Sequence, residues 1–156
     1  MLARVSLPGK NGGHGIITWR LLFFGCRPVP LPAVVAAIKT GRLSGDRPPA
    51  LKRLIELPFF GGLEAFVYYG EDRVGRRVYA FWCHGDPVLL RKFFSAREIL
   101  LGEEGWKLRP VPEPGGGIFF PLFWCLGRAG CPLGRWFFWR SVVRYYSELV
   151  RFAEEA

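Results

Sequence analysis

Amide side chains are almost missing from this chain of 156 residues, which contains no Gln and a single Asn, Asn11. Hyperthermophile proteins are depleted in these thermolabile residues and enriched in charged ones and in loop prolines. The 13 prolines and 22 basic residues agree with that origin. A GC-rich genome would produce a similar bias, so the composition leaves both explanations open.

Long hydrophobic runs are also missing. The two most apolar stretches, 15–24 and 117–127, each extend for about 10 residues, half of the roughly 20 that a membrane-spanning helix needs. The first residues, MLARVSLPGK, lack the apolar core of a secretory signal. We therefore expect a soluble, cytoplasmic protein with no membrane span.

The sequence lacks a C-x-x-C motif. Its four cysteines are Cys26, Cys83, Cys125 and Cys131, and the spacing of the last three with His84 fits no common zinc finger. We expect no metal ion and no cofactor. Cytosolic disulfides do occur in hyperthermophiles. Because only a short loop separates Cys125 from Cys131, these two cysteines are the candidate disulfide pair.

No catalytic motif is apparent either. Cys83 and His84 are adjacent at the end of a predicted strand, so their side chains point to opposite faces and cannot pair directly as nucleophile and base unless the strand ends first. Asp86 and Pro87 are typical of a helix start. In GKNGGHG, Lys10 precedes the glycines instead of following them, which argues against a phosphate-binding loop, although Lys10 is suitably placed to contact an anion. We predict a protein that is not an enzyme.

Positive charge is abundant and uneven. The net charge is +9, from 22 basic and 13 acidic residues, and 17 of the basic residues are Arg. Residues 1–60 hold nine basic and two acidic residues, so +7 of the total lies there. Such a field favours polyanions, whether nucleic acid or an anionic membrane surface. Solubility of an apolar chain is the alternative explanation.

The hydrophobic pattern predicts a single α+β domain over 1–156. An α+β body would occupy 1–111, and an apolar extension with an amphipathic helix would occupy 112–156. We expect an antiparallel sheet with helices on one face. The predicted strands are 16–24, 63–69, 76–83 and 106–111, and the predicted helices are 32–40, 46–57, 86–101 and 135–153.

Alternation along these strands predicts one sheet face that mixes aromatic and basic side chains. Single-stranded nucleic acids are held on such faces, because bases stack on the rings and phosphates pair with the cations. The residues placed there are Arg20, Phe24, Phe66, Tyr68, Arg77, Tyr79, Phe81, Lys107 and Arg109.

The strand–helix–strand–strand–helix–strand order resembles that of the RNA-recognition motif over about residues 16–111. The octapeptide of that family is matched by Arg77, Tyr79, Ala80 and Phe81, with Val78 where the family has Gly. The predicted helix 46–57 is an addition to the family's layout. The resemblance implies a ferredoxin-like sheet and binding of RNA on its open face.

Three functions follow, in order of preference. The first is a small, basic nucleic-acid-binding protein with a preference for single-stranded RNA or DNA. The second is a structural or oligomer-forming protein, associated with a virion or a ribosome, in which the apolar segments pair with another copy. The third is a small acetyltransferase-like enzyme. The R/Q-x-x-G-x-G/A loop with which acetyltransferases bind the cofactor pyrophosphate is, however, missing at the expected helix start. Binding of nucleic acid requires that the segment 112–156 leave the mixed face uncovered.

Overall fold

A computed structural model of the chain describes residues 19–62, 65–101, 105–113 and 119–156. Within these ranges lie four strands and five helices. In chain order they are β1 (Arg20–Gly25), α1 (Leu31–Lys39), α2 (Leu51–Ile55), β2 (Ala65–Glu71), β3 (Arg77–Trp82), α3 (Pro87–Leu101), β4 (Trp106–Pro110), α4 (Phe119–Arg128) and α5 (Pro132–Glu155).

The strands form one open sheet in the order β2-β3-β1-β4. β2 and β3 are an antiparallel hairpin, whereas β1 runs parallel to both of its neighbours, β3 and β4. The α+β class is confirmed. The predicted antiparallel sheet is wrong, because the sheet is mixed, and the ferredoxin-like layout is not confirmed.

The direction of β1 relative to β3 follows from the long connection between α1 and β2. α1 ends at Thr40, and Gly41 takes a left-handed conformation (φ 74°) that turns the chain away from the helix axis. The chain then passes through α2 before it enters β2, which runs opposite to β1. The hairpin reverses it once more, so β3 lies parallel to β1.

One face of the sheet is closed by α1 and α5. α1 is buried over residues 31–37, and its apolar side chains join those of the sheet and of α5 in the main hydrophobic core. The central strands contribute Leu21, Phe23, Val78, Ala80 and Trp82 to this core, while α5 contributes Phe138, Val142, Tyr146, Leu149 and Ala153. We call this side of the sheet the closed face.

α3 lies on the opposite side of the sheet. Its Phe94 is buried and meets Phe81 of β3 edge to face, with ring centroids 5.9 Å apart, and neither residue belongs to the main core. Helices therefore pack on both faces, and the prediction that they pack on one face is wrong.

Most predicted helices and strands lie close to their observed bounds, with two exceptions. The helix predicted for 46–57 is reduced to the five residues of α2, with Ala50 at its N-cap. The prolines at 48 and 49 account for this, since neither fits a helix interior. The second exception is α4, which formed no part of the prediction.

α4 and α5 form a tight helical hairpin. Gly134 lies against the backbone of α4, and a Cβ added to it would be 2.6 Å from the backbone nitrogen of Gly127. Only glycine permits this approach.

In the described part of the chain, no helix is long and apolar enough to traverse a bilayer.

Candidate nucleic-acid interface

The register of the sheet brings a set of aromatic and basic side chains to the side opposite α1 and α5. Across β1, β3 and β4, the rows are Arg20–Arg77–Trp106, Leu22–Tyr79–Leu108 and Phe24–Phe81–Pro110. On β2, Phe66 pairs with Phe81 and Tyr68 with Tyr79. Residues at paired positions project from the same side. We call the surface formed by Arg20, Phe66, Tyr68, Arg77, Tyr79, Phe81 and Trp106 the aromatic face.

The five rings of this face form one continuous cluster around Tyr79. The ring centroid of Tyr79 lies 5.1 Å from that of Tyr68, 5.1 Å from that of Trp106 and 5.6 Å from that of Phe66. Phe66 and Tyr79 are stacked, at an interplanar angle of 27°. β1 lies between β3 and β4, so the contact with Tyr79 requires the indole of Trp106 to reach across β1.

The side chains on this side of the sheet differ in exposure. Leu22 and Phe24 occupy the same side of β1 and are completely buried. Phe66 is 47% exposed and Tyr68 is 48% exposed, while Tyr79, Phe81 and Trp106 are partly buried.

Two arginines stand at the end of the cluster where β1 and β3 begin. The guanidinium of Arg20 lies over the indole of Trp106, 5.3 Å from the ring centroid, in cation–π geometry. Arg77, on β3, is the register partner of Arg20 on β1 and of Glu71 on β2. Burial, followed by the charge of Glu71 and the neighbouring Tyr79, raises the pKa of Tyr68 above its ordinary value. Tyr68 is therefore a neutral phenol at pH 7 and adds no negative charge to this face.

The C-terminal helix lies on the other side of the sheet. The ring of Phe152 is 6.0 Å from that of Phe23, and Tyr146, Leu149 and Ala153 are buried in the core of the closed face. Tyr146 is tied there by a 2.6 Å hydrogen bond from its hydroxyl to the carbonyl oxygen of Ser44, and burial raises its pKa to about 12. α5 therefore leaves the aromatic face uncovered.

Of the residues that the sequence placed on the mixed face, six are brought together: Arg20, Phe66, Tyr68, Arg77, Tyr79 and Phe81. Phe24 projects from the same side but is only 1% exposed, so it offers no surface to a ligand. Lys10 lies outside the described residues.

The placement of Lys107 and Arg109 on the mixed face is wrong. Their register partners on β1 are Leu21 and Phe23, which belong to the closed face. Lys107 Nζ donates a 2.8 Å hydrogen bond to the carbonyl oxygen of Ala156, and Arg109 reaches the carbonyl oxygen of Glu155. These two cations therefore hold the end of α5 and do not face the aromatic cluster.

Trp106 is the residue of the aromatic face that sequence reasoning missed. It lies on β4 next to Lys107, so alternation places the two on opposite sides of the sheet. The error was to choose the basic side of β4 for the mixed face. The signal that would have corrected the choice of side is the large ring of Trp106. A ring of this size on β4 is expected to pack against the other rings of the mixed face.

The remaining side chains considered in the sequence are the cysteines and other possible metal ligands. The described part of the chain contains no group of three His, Cys, Asp or Glu side chains arranged to hold a metal ion. Cys125 and Cys131 are both thiols in the structure.

Comparison of the chain with protein-family models, curated proteins and solved structures found no match.

Proposed function

We propose that this protein binds single-stranded nucleic acid on its aromatic face. The observation that supports this most directly is the cluster of five neighbouring rings, two of them about half exposed, bordered by Arg20 and Arg77. Base stacking on such rings contributes roughly 1–3 kcal/mol per base and is tolerant of sequence. RNA and DNA both present such bases, and an overall charge of +9 attracts either.

The shape of the face favours a single strand over a duplex. The rings lie side by side on one face of the sheet, and the exposed ones offer their surfaces to unstacked bases, which a duplex does not expose. The arginines lie at one end of the cluster, so a strand with its bases on Phe66 and Tyr79 would direct a phosphate toward Arg77 or Arg20.

The direct test is binding of a labelled single-stranded oligonucleotide at low salt, measured by fluorescence anisotropy. The double variant Phe66→Ala/Tyr79→Ala should weaken binding at least tenfold, because two stacking positions are lost. Phe137→Ala is the matched control, since Phe137 is similarly exposed but lies on α5. Circular dichroism confirms that the variants are folded. Absence of binding by the wild-type protein at low salt would refute the proposal.

Charge provides a second arm of the same test. Arg77→Gln should reduce the slope of log affinity against log salt by about 1, the effect of one phosphate contact. Lys107→Gln should leave the slope nearly unchanged, because Lys107 is engaged on the closed face. Equal effects of the two substitutions would mean that binding follows net charge and not the aromatic face.

Self-association is a second candidate function, and a separate surface favours it. The outer side of the α4–α5 hairpin exposes apolar side chains from both helices: Leu122, Leu126, Leu133, Trp136 and Phe137. The stacked rings of Phe123 and Phe137, 5.0 Å apart, make this surface continuous between the helices. Light scattering should then detect a defined oligomer that Leu133→Ser/Phe137→Ser converts to monomer, and a monomeric wild-type protein would exclude this candidate.

A further inference from the structure

Two cysteines follow the central strands β1 and β3 at the same end of the sheet. Cys26 comes directly after Gly25, and Cys83 directly after Trp82, and Gly25 and Trp82 are register partners in the parallel pair. The backbone hydrogen bonds continue beyond the strands. The nitrogen of Cys83 lies 3.3 Å from the carbonyl oxygen of Gly25, and the nitrogen of Gly85 lies 3.1 Å from that of Cys26. Cys26 and Cys83 therefore lie on neighbouring segments just beyond the last register pair, Gly25 and Trp82.

Alternation extended by one residue beyond the two strands places both side chains on the same side of the sheet. Trp82 is buried in the closed face, and a Cβ added to Gly25 would meet Pro32 and Trp82 on that side. By alternation, Cys26 and Cys83 project to the side of α3. Adjacent strands are spaced about 4.8 Å apart, which falls within the Cα separation of roughly 4.4–6.8 Å found in disulfides.

The surroundings of Cys26 agree with this proximity. Burial raises the pKa of the Cys26 thiol, and the neighbouring Cys83, then Glu113 and Asp86, raise it further. Both thiols are partly buried, so a small disulfide in solution can still reach them. Cys125, by contrast, is exposed on α4.

We propose that Cys26 and Cys83 form an intramolecular disulfide when the protein meets a disulfide oxidant. One thiolate attacks a sulfur of the oxidant and releases its other half as a thiolate, leaving a mixed disulfide. The second cysteine thiolate attacks the protein sulfur of the mixed disulfide and releases the remaining half. The two cysteines lose two electrons and two protons in total, and one oxidant molecule becomes two thiols.

The position of this pair gives the disulfide a structural consequence. The chain leaves β1 toward α1 on the closed face and leaves β3 toward α3 on the other face, so the two segments diverge soon after Cys26 and Cys83. A disulfide at this point would close a long loop that contains α1, α2, β2 and β3. Closing a long loop restricts the unfolded chain, so the oxidised protein should melt roughly 5–15 °C above the reduced protein.

The test uses the full chain, incubated with oxidised glutathione and then digested without reduction. Mass spectrometry should identify one peptide that links Cys26 to Cys83, and titration should find two thiols fewer than in the reduced protein. Formation should become faster as the pH rises, because the thiolate is the attacking species and the pKa of Cys26 is raised.

The variants separate this pair from the other two cysteines. Cys26→Ser and Cys83→Ser should each abolish the cross-link and the gain in melting temperature, whereas Cys125→Ser/Cys131→Ser should retain both. The proposal would be overturned by a cross-link between Cys125 and Cys131 without one between Cys26 and Cys83, by a cross-link only between chains, or by four titratable thiols after oxidation. Peptide mapping of the wild-type protein gives this answer even if a serine variant fails to fold.

Discussion

The two faces of the sheet are built from the same four strands and are both rich in aromatic side chains, yet they differ in what lies against them. On the closed face, Phe23 and Trp82 are completely buried beneath α1 and α5. On the aromatic face, Phe66 and Tyr68 remain about half exposed. Composition alone therefore does not separate core aromatics from surface aromatics, and the packing of the helices does.

Neighbouring residues on β2 express the same contrast. Tyr69 is buried, its hydroxyl donates to the carbonyl oxygen of Pro58 at 3.0 Å, and the guanidinium of Arg42 lies over its ring. Tyr68 projects to the aromatic face, where its ring meets that of Tyr79. A buried hydroxyl requires a hydrogen-bond partner, whereas an exposed one finds water. The closed face thus holds the main hydrophobic core, whereas Phe66 and Tyr68 on the aromatic face remain about half exposed.

The largest difference should appear when one aromatic side chain is removed from each face. Trp82→Ala should lower the free energy of unfolding by roughly 3–5 kcal/mol, because it leaves a cavity and removes the hydrogen bond from the indole to Gly62. Phe66→Ala should cost about 1 kcal/mol, the contribution of its ring contacts. Urea unfolding followed by circular dichroism measures both, and equal losses would contradict the division into two faces.

A smaller, pH-dependent difference should separate two carboxylates at the end of β2. Burial raises the pKa of Asp72, but hydrogen bonds from Arg76 and Val74 outweigh burial and lower it below its ordinary value. Arg76 in turn donates to the carbonyl oxygen of Ala156, which ties the hairpin to the end of α5. Asp72→Asn should therefore cost roughly 1–3 kcal/mol at pH 7.

This loss should diminish at acid pH. A carboxylate whose pKa is lowered by folding stabilises the protein above its unfolded pKa, and the stabilisation is lost as the pH falls through the folded pKa. The wild-type protein and Asp72→Asn should therefore converge below about pH 4. Glu71→Gln on the exposed neighbour is the control and should change stability by about 0.5 kcal/mol or less. A loss that is independent of pH would mean that the charge of Asp72 is not what matters.

The smallest difference should come from removing one hydroxyl on each face. Tyr69→Phe should cost about 1 kcal/mol, because the carbonyl oxygen of Pro58 loses its hydrogen-bond donor. Tyr68→Phe should leave stability within about 0.5 kcal/mol of the wild type. Thermal unfolding of the two variants provides the measurement, and the reverse order would show that the two tyrosines have been assigned to the wrong faces.

Local pattern predicted the elements better than their arrangement. Alternation placed Arg77, Tyr79 and Phe81 on one side of β3, and the register confirms that placement. The Asp86–Pro87 helix start also agrees with the structure, since the carboxylate of Asp86 accepts a 2.7 Å hydrogen bond from the nitrogen of Val88. Both depend on neighbouring residues only, so one chain segment is enough to predict them.

Two features were not predictable from neighbouring residues. They are the side of the sheet that each residue of β4 faces and the burial of Phe24. Alternation states that Trp106 and Lys107 lie on opposite sides of the sheet, but not which of them faces α5. That choice depends on the carbonyl oxygens at the end of α5, which bind Lys107 and Arg109. Phe24 follows the alternation and is nevertheless 1% exposed, and alternation alone does not indicate how deeply a side chain is buried.

The sequence by itself determined the α+β class, the alternation of β1 and β3, and the positive charge that makes a polyanion a plausible ligand. These properties reside in the order of side chains along short segments. Only the tertiary structure decided that β1 runs parallel to β3, that α5 packs on the closed face, and that Cys26 lies beside Cys83. Each of these depends on contacts between segments distant along the chain, where the burial of one apolar surface determines which other surface is left exposed to water.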